Sequence, residues 1–287
     1  MTDGSTLLTE LNLFPIKSCA GIALRRATVT PFGLMSAQVY DRQWMLVDQA
    51  GNFLTQREIP QMACIVPRLG SDTLEVQAPG MLMLHIPLRL PEPDCAASLK
   101  VNVWEDALAA FDCGEESAAW FSQALGTACR LARFDPRATR SINNQWTGGR
   151  DVQTHFADGY PMLLISEGSL ADLNQKLAAQ ARPALPMNRF RPNLVIAGIE
   201  AFEEDYAAVI HVGGAQLQPI KPCPRCTIPA VDQATGLRGP DPLDILQSYR
   251  ANPKLDGGIA FGMNVILLEG ENQILEIGQE VEIELAF

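Results

Sequence analysis

Two thiols, one guanidinium and three prolines are concentrated in residues 221 to 229. The thiols belong to Cys223 and Cys226, and Arg225 lies between them. Because proline fixes φ and has no amide proton to donate, this segment is predicted to be a stiff loop rather than the interior of a helix or a central strand. A stiff loop can hold a thiolate where a metal ion or a substrate reaches it.

The spacing of Cys223 and Cys226 is compatible with several kinds of site. A dithiol redox pair of the thioredoxin type opens a helix, and Pro229 with no helical pattern around it disfavours that interpretation. A structural zinc site needs a second ligand pair, but the chain has no other C-x-x-C and its three histidines are scattered. A single thiolate can bind a softer transition metal, with Arg225 neutralising an anionic cofactor. Alternatively, both thiols are only buried residues of a tight turn.

The cysteine segment is predicted to follow directly on a β-hairpin. Residues 207 to 220 read as two short strands joined at Gly213 and Gly214. Other short apolar runs bounded by turn residues predict strands throughout the chain. These strands cover residues 7–14, 23–30, 43–48, 65–68, 73–77, 83–86, 162–165, 193–197, 264–268, 273–276 and 281–285.

Helical periodicity is restricted to two segments. Residues 116–125 carry apolar side chains at helical spacing and stop at Gly126, and Ser166 precedes a second helix that includes Leu170 and Leu173. Residues 135–155 are polar and contain glycine, which predicts a long loop. The predicted fold class is therefore mainly β with α insertions (α+β). An N-terminal β-barrel-like domain with its linking helix is assigned to residues 5–125, and a mainly β C-terminal domain to residues 126–287.

The composition excludes several function classes. Of the 287 residues, 47% are hydrophobic and 19% are charged, which is typical of a globular core. The net charge of -11 argues against binding to nucleic acid or anionic lipid, so an anion site must be a local basic pocket. The odd count of seven cysteines favours reduced thiols. The chain has no apolar run long enough to span a membrane, and residues 1–5 lack the features of a signal peptide, so a cytoplasmic location is expected.

Three basic positions stand at strand ends or turns of this acidic chain. Lys17 is followed by the hydroxyl of Ser18, a combination that suits a phosphate. Arg42 precedes an aromatic residue, and Arg191 lies between Phe190 and a proline. Each of them alone is typical of an exposed ion pair. Their joint pattern is what indicates an anion site.

Several short motifs follow one another in an order that identifies a family. The main four are FPIKS at residues 14–18, YDRQW at 40–44, FRPN at 190–193 and CPRC at 223–226. Further matches are FADGYP at 156–161, SLADLN at 169–174, the VD and TG pairs within 231–236, and SYR at 248–250. The chain resembles MOSC-domain proteins with an N-terminal MOSC β-barrel domain, a group that includes the mitochondrial amidoxime-reducing component and its bacterial relatives. The resemblance covers nearly the whole chain and implies a MOSC β-barrel domain in the C-terminal half.

The resemblance implies a molybdenum cofactor (Mo-molybdopterin), a pterin dithiolene that carries a phosphate. One protein cysteine completes the ligands of the metal in such proteins, and the matching residue, with the metal-ligand and catalytic role, is Cys226. A thiolate is a soft, strongly donating ligand that metal binding deprotonates. The implied cofactor-binding residues are Lys17, Ser18, Arg42, Asp158, Tyr160, Arg191, Asn193, Pro224, Arg225 and Cys226.

These implied roles differ in kind. The phosphate and the pterin are expected to be in contact with Lys17, Ser18, Arg42 and Arg191. Tyr160 is expected to act through its main chain, because the animal enzymes differ in that loop, and Asn193 to support its neighbours. Asp158 or a water molecule is the candidate source of protons.

The reaction implied is the two-electron reduction of N-hydroxylated compounds, such as amidoximes and hydroxylamines, to amidines or amines. The chain stops at Phe287, just past the last predicted strand, so the electrons are expected from a separate ferredoxin-, flavin- or cytochrome-type protein. Two other functions stay open. Cys226 could carry sulfur as a persulfide, as the resemblance to cofactor sulfurases suggests, or the protein could carry the cofactor without catalysis. Pyridoxal phosphate is associated with the family, but no lysine here has a recognisable Schiff-base context.

Overall fold

The computed structural model describes residues 5–90 and 97–286. The expectations for the N-terminal residues 1–4, the thiol of Cys95 and the C-terminal Phe287 lie outside these ranges. The first strands are β1 (Leu7–Leu13), β2 (Ile22–Leu24), β3 (Arg26–Thr30), β4 (Gly33–Ser36), β5 (Val39–Tyr40), β6 (Trp44–Val47), β7 (Val66–Leu69), β8 (Thr73–Gln77), β9 (Leu84–Pro87), β10 (Ser98–Val103), β11 (Asp106–Asp112) and β12 (Arg130–Phe134). The later strands are β13 (Met162–Ser166), β14 (Leu194–Ala197), β15 (Ala207–Val212), β16 (Ala215–Pro224), β17 (Ala251–Asn252), β18 (Gly258–Glu269), β19 (Ile274–Glu276) and β20 (Val281–Leu285).

Three α-helices interrupt the strands within the described ranges. They are α1 (Gly114–Leu125), α2 (Glu167–Ala179) and α3 (Leu243–Arg250). The predicted fold class, mainly β with α insertions and built from β-barrel domains, is confirmed. None of these helices is long and apolar enough to cross a lipid bilayer.

One nine-stranded sheet gathers strands from both ends of the chain, in the order β2-β1-β14-β13-β18-β16-β15-β20 with β17 paired to β18. Antiparallel sheets of β10-β11-β12-β6, β19-β3-β4-β5 and β7-β8-β9 make up the rest. The two predicted halves thus exchange strands: β1 pairs with β14, while β19 pairs with β3. The strand β12, which follows residue 125, pairs with β6 and β11. A division at residue 125 stays a prediction.

The buried apolar side chains form a large central cluster and two smaller ones. The central cluster contains Trp44 and Phe121, both fully buried. A smaller cluster between α2, α3 and the large sheet contains Phe190 and Phe261, whose ring centroids are 4.4 Å apart. Burying a side chain of this size stabilises a fold by roughly 1.5–3 kcal/mol. The segment around Phe190 is therefore a firm support for the residues that follow it.

The helix boundaries agree with the sequence. Ser166 precedes α2 as predicted, and it is the N-cap because its hydroxyl accepts a hydrogen bond from the Ser169 amide. The helix α1 ends at Gly126 with φ of 65°, a left-handed conformation that glycine adopts without strain. The helix α3 was not predicted, because it has only eight residues and shows too few turns of periodicity.

The prediction that residues 221 to 229 form a loop is wrong for the first four of them. The strand β16 continues through Pro222 to Pro224, and only the residues after it leave the sheet. In this stretch β16 pairs with β18 through two register shifts, while its pairing with β15 ends at Leu217. Proline is compatible with a strand at bulges and where one edge is unpaired, because no donor is then missing.

The hairpin of β10 and β11 was also missed. Its two-residue turn consists of Trp104 and Glu105, and Trp104 has φ of 57°. Glycine is usual at this turn position, so the sequence lacks the signal by which a hairpin is recognised. The loop predicted for residues 135–155 is confirmed, with one short 3-10 turn at Asn144–Trp146.

Candidate functional site

One cavity of about 140 Å³ is lined by every residue that the sequence implied for cofactor binding. The lining side chains come from the turn after β1, the β5–β6 turn, the segments before β13 and β14, and the end of β16. These residues are far apart in sequence and meet because β1, β14, β13, β18 and β16 are neighbours in the large sheet. The predicted site residues in the cavity are Lys17, Ser18, Arg42, Asp158, Tyr160, Arg191, Asn193, Pro224, Arg225 and Cys226.

Lys17 is buried on the wall of the cavity and paired with Asp158. Its Nζ donates to Asp158 Oδ1 at 2.6 Å and to the carbonyl oxygen of Phe156 at 2.9 Å. Burial lowers the pKa of Lys17, and the carboxylate of Asp158 partly opposes that shift. Desolvation raises the pKa of Asp158, but the Lys17 ammonium outweighs it and lowers that pKa to about 2. Asp158 is therefore an ionised acceptor at neutral pH and does not hold a proton there.

Arg42 is fixed by a buried polar network. Its Nη1 donates to Asp41 and, at 3.1 Å, to the Asn193 side-chain oxygen. Asn193 Nδ2 donates in turn to Asp41 Oδ1 at 2.9 Å, and the main-chain amide of Phe14 donates to the same oxygen. Burial raises the pKa of Asp41, while Arg42 and these hydrogen bonds lower it. Asn193 thus positions Arg42, as the sequence suggested.

Two guanidinium groups lie against one aromatic ring. The Cζ atoms of Arg42 and Arg191 are each 4.4 Å from the ring centroid of Phe14. Burial, together with the positive charge of Arg42, lowers the pKa of Arg191 to about 9. Arg191 Nη1 donates to Gln233 at 3.2 Å, whereas its buried Nη2 has no hydrogen-bond partner among the residues that the structure describes. A guanidinium so placed is suited to an anionic acceptor.

The cavity also concentrates unusual backbone conformations. Ser18, Arg42 and Arg191 have φ of 65°, 49° and 57°, in the left-handed region that residues other than glycine rarely adopt. Such conformations cost about 1–3 kcal/mol each and tend to occur at functional sites. The backbone therefore supports the assignment of these three positions to a binding site.

The two cysteines of the cavity have different surroundings. Arg225 Nη1 donates to Cys223 Sγ at 3.2 Å, and Cys223 packs against the cluster of Phe190 and Phe261. Arg225 Nη2 donates to the carbonyl oxygen of Phe190 at 2.8 Å. The half-buried thiol of Cys226 is free and makes no hydrogen bond within the described ranges. Cys226 is thus the thiol of this pair that is available to a ligand.

Tyr160 stands where the long polar loop approaches the cavity. Lys221 Nζ lies 5.7 Å from the ring centroid of Tyr160 and 5.5 Å from that of Trp146, which belongs to the loop. Burial raises the pKa of the Tyr160 hydroxyl. The ring of Tyr160 thus lies near Lys221, and its main-chain role toward a cofactor stays a prediction.

Sequence reasoning missed three residues that hold the site together. Asp41 is inside a recognised motif, and its place beside Arg42 was a usable signal. Gln56 and Gln233 exchange side-chain hydrogen bonds of 3.1 and 2.9 Å across the chain, and Gln56 also donates to the carbonyl oxygen of Ser18 at 2.7 Å. No local pattern identifies such an amide pair, because its members are far apart in sequence.

Comparison with known proteins identifies the family of this chain. Residues 5–128 match the model of the MOSC N-terminal beta barrel domain, and residues 151–282 match that of the MOSC domain. The chain belongs to the MOSC-domain proteins. The predicted resemblance is thereby confirmed, and the cavity of this MOSC protein is formed by residues from both matched segments.

Named relatives fall into two groups. The mitochondrial amidoxime reducing component 2 of Bos taurus is 34% identical over 247 residues, which are 85% of this chain and 72% of that protein. The molybdenum cofactor sulfurase of Danio rerio is 32% identical over 296 residues, which are 97% of this chain but 34% of that protein. Among solved structures, the YuaD protein of Bacillus subtilis covers 98% of this MOSC protein and 97% of its own chain, at 11% identity and a TM-score of 0.39.

Proposed function

We propose that this MOSC protein is a molybdenum-cofactor-dependent oxidoreductase that reduces N-hydroxylated compounds, such as amidoximes and hydroxylamines, to amidines and amines. The electrons come from a separate ferredoxin-, flavin- or cytochrome-type protein. The observation that carries the proposal is the free thiol of Cys226 in a cavity that also contains the buried, incompletely hydrogen-bonded guanidinium of Arg191. Similarity to proteins named amidoxime reducing components supports the reaction.

The donor groups of the cavity fit a phosphate-bearing pterin dithiolene. Arg191 Nη2 and Arg225 Nε are buried and have no partner in the described part of the chain, so they offer hydrogen bonds to acceptor atoms. Within residues 5–90 and 97–286 no three histidine, cysteine or acidic side chains cluster as metal ligands. A cofactor that brings its own sulfur ligands needs only one protein thiolate, which Cys226 provides.

The residues of the cavity would have different roles toward the cofactor. Arg42 and Arg191, with Lys17 and Ser18, bind the anionic part, while Asn193 orients Arg42. Cys226 binds the metal as a thiolate. When bound, the cofactor supplies the two-electron chemistry, and the protein supplies orientation and a cationic environment.

The proton supply follows from the acid-base properties of the cavity. Asp158, with its pKa lowered to about 2, serves as the ionised partner of Lys17 rather than as a proton donor. Of the two sources considered from the sequence, water is therefore the one that we propose.

The test is metal and activity analysis of protein made in a host that synthesises the cofactor. We expect molybdenum and pterin in about equal amounts with the protein, and reduction of benzamidoxime to benzamidine with a chemically reduced viologen as electron donor. Molybdenum without reduction of any N-hydroxylated compound would leave a non-catalytic carrier as the function. Protein without molybdenum or pterin would contradict the whole proposal.

A second candidate function is favoured by the similarity to molybdenum cofactor sulfurases, which covers nearly the whole chain. In that case Cys226 carries a persulfide, and the nearby cations stabilise its negative charge. Intact-protein mass spectrometry separates the two candidates. A mass increase of one sulfur atom on Cys226 in metal-free protein favours sulfur transfer, and its absence from molybdenum-loaded protein favours the reductase.

Two further proposals concern the domains and the location of the protein. We propose the domain division at residues 125 and 126 and a cytoplasmic location. Limited proteolysis that cuts near residue 126 would support the division, and fractionation of the host cells tests the location.

A further inference from the structure

A second concave region lies outside the cavity of Cys226. It is a groove of about 420 Å³ lined by Asn52, Phe53, Arg57, Glu58, Asn102 and Trp104. The Phe53 and Trp104 rings are 5.1 Å apart and tilted at 66°. The guanidinium carbon of Arg57 lies 4.7 Å from the Trp104 ring centroid and 5.9 Å from that of Phe53. The groove thus combines two aromatic rings with one cation.

Two contacts connect this groove to the cavity. Trp104 Nε1 donates to Asp158 Oδ1 at 3.3 Å, and the same oxygen is paired with Lys17. Lys17 Nζ lies 5.0 Å from the ring centroid of Phe53. Lys17 and Asp158 line the cavity, whereas Phe53 and Trp104 line the groove. The ion pair of Lys17 and Asp158 therefore contacts both rings of the groove from the cavity side, and a molecule held in the groove lies next to the cavity.

The backbone conformation of Trp104 indicates that the turn itself does not favour a tryptophan at this position. Its φ of 57° occupies the position of a two-residue hairpin turn where glycine is preferred. A bulky residue in this conformation is strained. In addition, 51% of the Trp104 surface is exposed, so burial of the indole offsets little of the strain. The exposed indole is a flat surface that a planar ligand can stack on.

The cation in the groove is Arg57, and the carboxylate in it is Glu58. Arg57 Nε donates to the hydroxyl of Thr55 at 3.3 Å, and among the described residues Arg57 forms no ion pair with a carboxylate. Glu58 also lines the groove, and its Oε2 accepts a hydrogen bond of 2.8 Å from Thr55. The charges of Asp158 and Lys17 offset each other. A guanidinium that is stacked on an indole keeps its outer N–H groups for a bidentate carboxylate.

We propose that this groove is a substrate subsite that binds a flat aromatic ring bearing a carboxylate, with the ring on Trp104 and Phe53 and the carboxylate on Arg57. The inference rests on the proposed reductase function. The subsite gives the enzyme a preference for N-hydroxylated aromatic acids over the uncharged aromatic compounds, and it holds the ring of such a substrate beside the cavity.

The test compares two amidines of the product class, 4-amidinobenzoate and benzamidine, by titration calorimetry on the molybdenum-loaded protein. A carboxylate hydrogen-bonded to a guanidinium is worth about 1.5–3 kcal/mol, so we expect 4-amidinobenzoate to bind roughly tenfold or more tightly than benzamidine. The variant Arg57→Gln should abolish the difference between the two probes. The control Arg68→Gln, at an exposed arginine on β7 outside the groove, should preserve it.

A second variant separates ligand binding from folding. Trp104→Gly puts the preferred residue into the turn, so the free energy of unfolding should stay the same or rise, while both probes bind at least about fivefold more weakly because the stacking surface is lost. Equal binding of the two probes by the unmodified protein, or an unchanged preference in Arg57→Gln, would overturn the subsite. Absence of binding for both probes would do the same.

These measurements do not depend on turnover. A carboxylate preference that requires Arg57, in a protein that reduces no N-hydroxylated compound, would refute the reductase and leave the subsite standing. Reduction of benzamidoxime by a protein that binds 4-amidinobenzoate and benzamidine equally would refute the subsite and leave the reductase standing.

Discussion

Two buried arginines, Arg140 and Arg191, illustrate how differently the same side chain is used in this protein. Arg140 is 6% exposed and Arg191 is 8% exposed. Arg140 Nε donates to the Asp106 carboxylate at 2.8 Å, and its Nη1 donates to two backbone carbonyl oxygens at 2.9 and 2.6 Å. Within residues 5–90 and 97–286, Arg191 has one side-chain hydrogen bond, to Gln233, and its Nη2 has no partner. Its neighbour Arg42 carries the same charge.

The difference shows which buried charge serves the fold and which serves a ligand. The carbonyl oxygens that Arg140 satisfies belong to residues 155 and 157, so this arginine holds the segment that leads to Asp158. Arg191 is incompletely satisfied by the protein, which destabilises the fold unless an anion binds. The unsatisfied hydrogen bonding of Arg191 at the proposed cofactor site thus destabilises the protein without a ligand, whereas the contacts of Arg140 stabilise it.

The largest expected effect concerns the thiols of the proposed site. Cys226→Ala should lower the molybdenum content of the purified protein by roughly 100-fold or more, because the protein ligand of the metal is removed. Cys223→Ala is the matched control and should largely keep the metal, since that thiol is held by Arg225. Elemental analysis by mass spectrometry measures both, and equal retention in the two variants would refute the choice of ligand.

The two arginines should respond to substitution in opposite ways. Arg140→Gln should lower the free energy of unfolding by about 3 kcal/mol, chiefly because it leaves two buried carbonyl oxygens unpaired, and less because it breaks the ion pair with the half-exposed Asp106. Arg191→Gln should leave that free energy unchanged within about 1 kcal/mol or raise it, and should lower cofactor content about tenfold. Urea denaturation together with pterin analysis tests the contrast. A loss of stability in Arg191→Gln as large as in Arg140→Gln would contradict it.

The region that Arg140 supports should also be sensitive to acid. Burial lowers the pKa of His155 to about 4, and its ring is stacked 5.1 Å from that of Phe32. Because the folded-state pKa lies below the unfolded value of about 6.5, the unfolded chain takes up the proton first as the pH falls. The contribution of neutral His155 is complete above pH 6.5 and decreases between about pH 6.5 and 4, by about 3 kcal/mol in total.

The variant His155→Phe tests this dependence, because it keeps an aromatic ring between Phe32 and Phe134 and removes the titrating group. Its free energy of unfolding, measured by urea denaturation at pH 7, 5.5 and 4, should fall less than that of the unmodified protein. Identical pH profiles for the two proteins would show that His155 does not control the acid response.

A smaller effect is expected at the amide pair that orients Arg191. Gln233→Leu removes the acceptor of Arg191 Nη1 and the partner of Gln56, so cofactor content should fall about tenfold or less. Gln233→Glu should lower it further, because a carboxylate beside Arg191 competes with an anionic ligand. Pterin content that is unchanged in both variants would remove the amide pair from the site.

The smallest expected effect belongs to the pair of Lys17 and Asp158. The folded-state pKa of Asp158, about 2, lies below the unfolded value of about 3.9, so the stabilisation from the pair is present above pH 4 and is lost as the pH falls toward 2. Because the Asp158 side chain is 67% exposed, this contribution is less than about 1 kcal/mol. Asp158→Asn should therefore lose stability at pH 7 only slightly and remove this part of the acid response. A fall of several kcal/mol at pH 7 would contradict the estimate.

The sequence was informative where a local pattern has one physical meaning. The alternating strands on both sides of Gly213 and Gly214, the N-cap Ser166 and the stop at Gly126 were each predicted and found. The hairpin at Trp104 was missed because its turn uses a strained residue in place of glycine. The strand through Pro224 was missed because the number of pairing partners of a strand is not visible in its own residues.

Sequence alone determined the composition of the site, since residue types such as cysteine, arginine and lysine in ordered motifs indicate a thiolate and an anion pocket. Only the tertiary structure decided how these groups are satisfied. In the folded protein Arg225 donates a hydrogen bond to Cys223, whereas the thiol of Cys226 is free. A buried N–H of Arg191 has no acceptor among the described residues. The physical reason is that a side chain has its chemistry from its own atoms, whereas its desolvation and hydrogen bonds come from residues that only folding brings near.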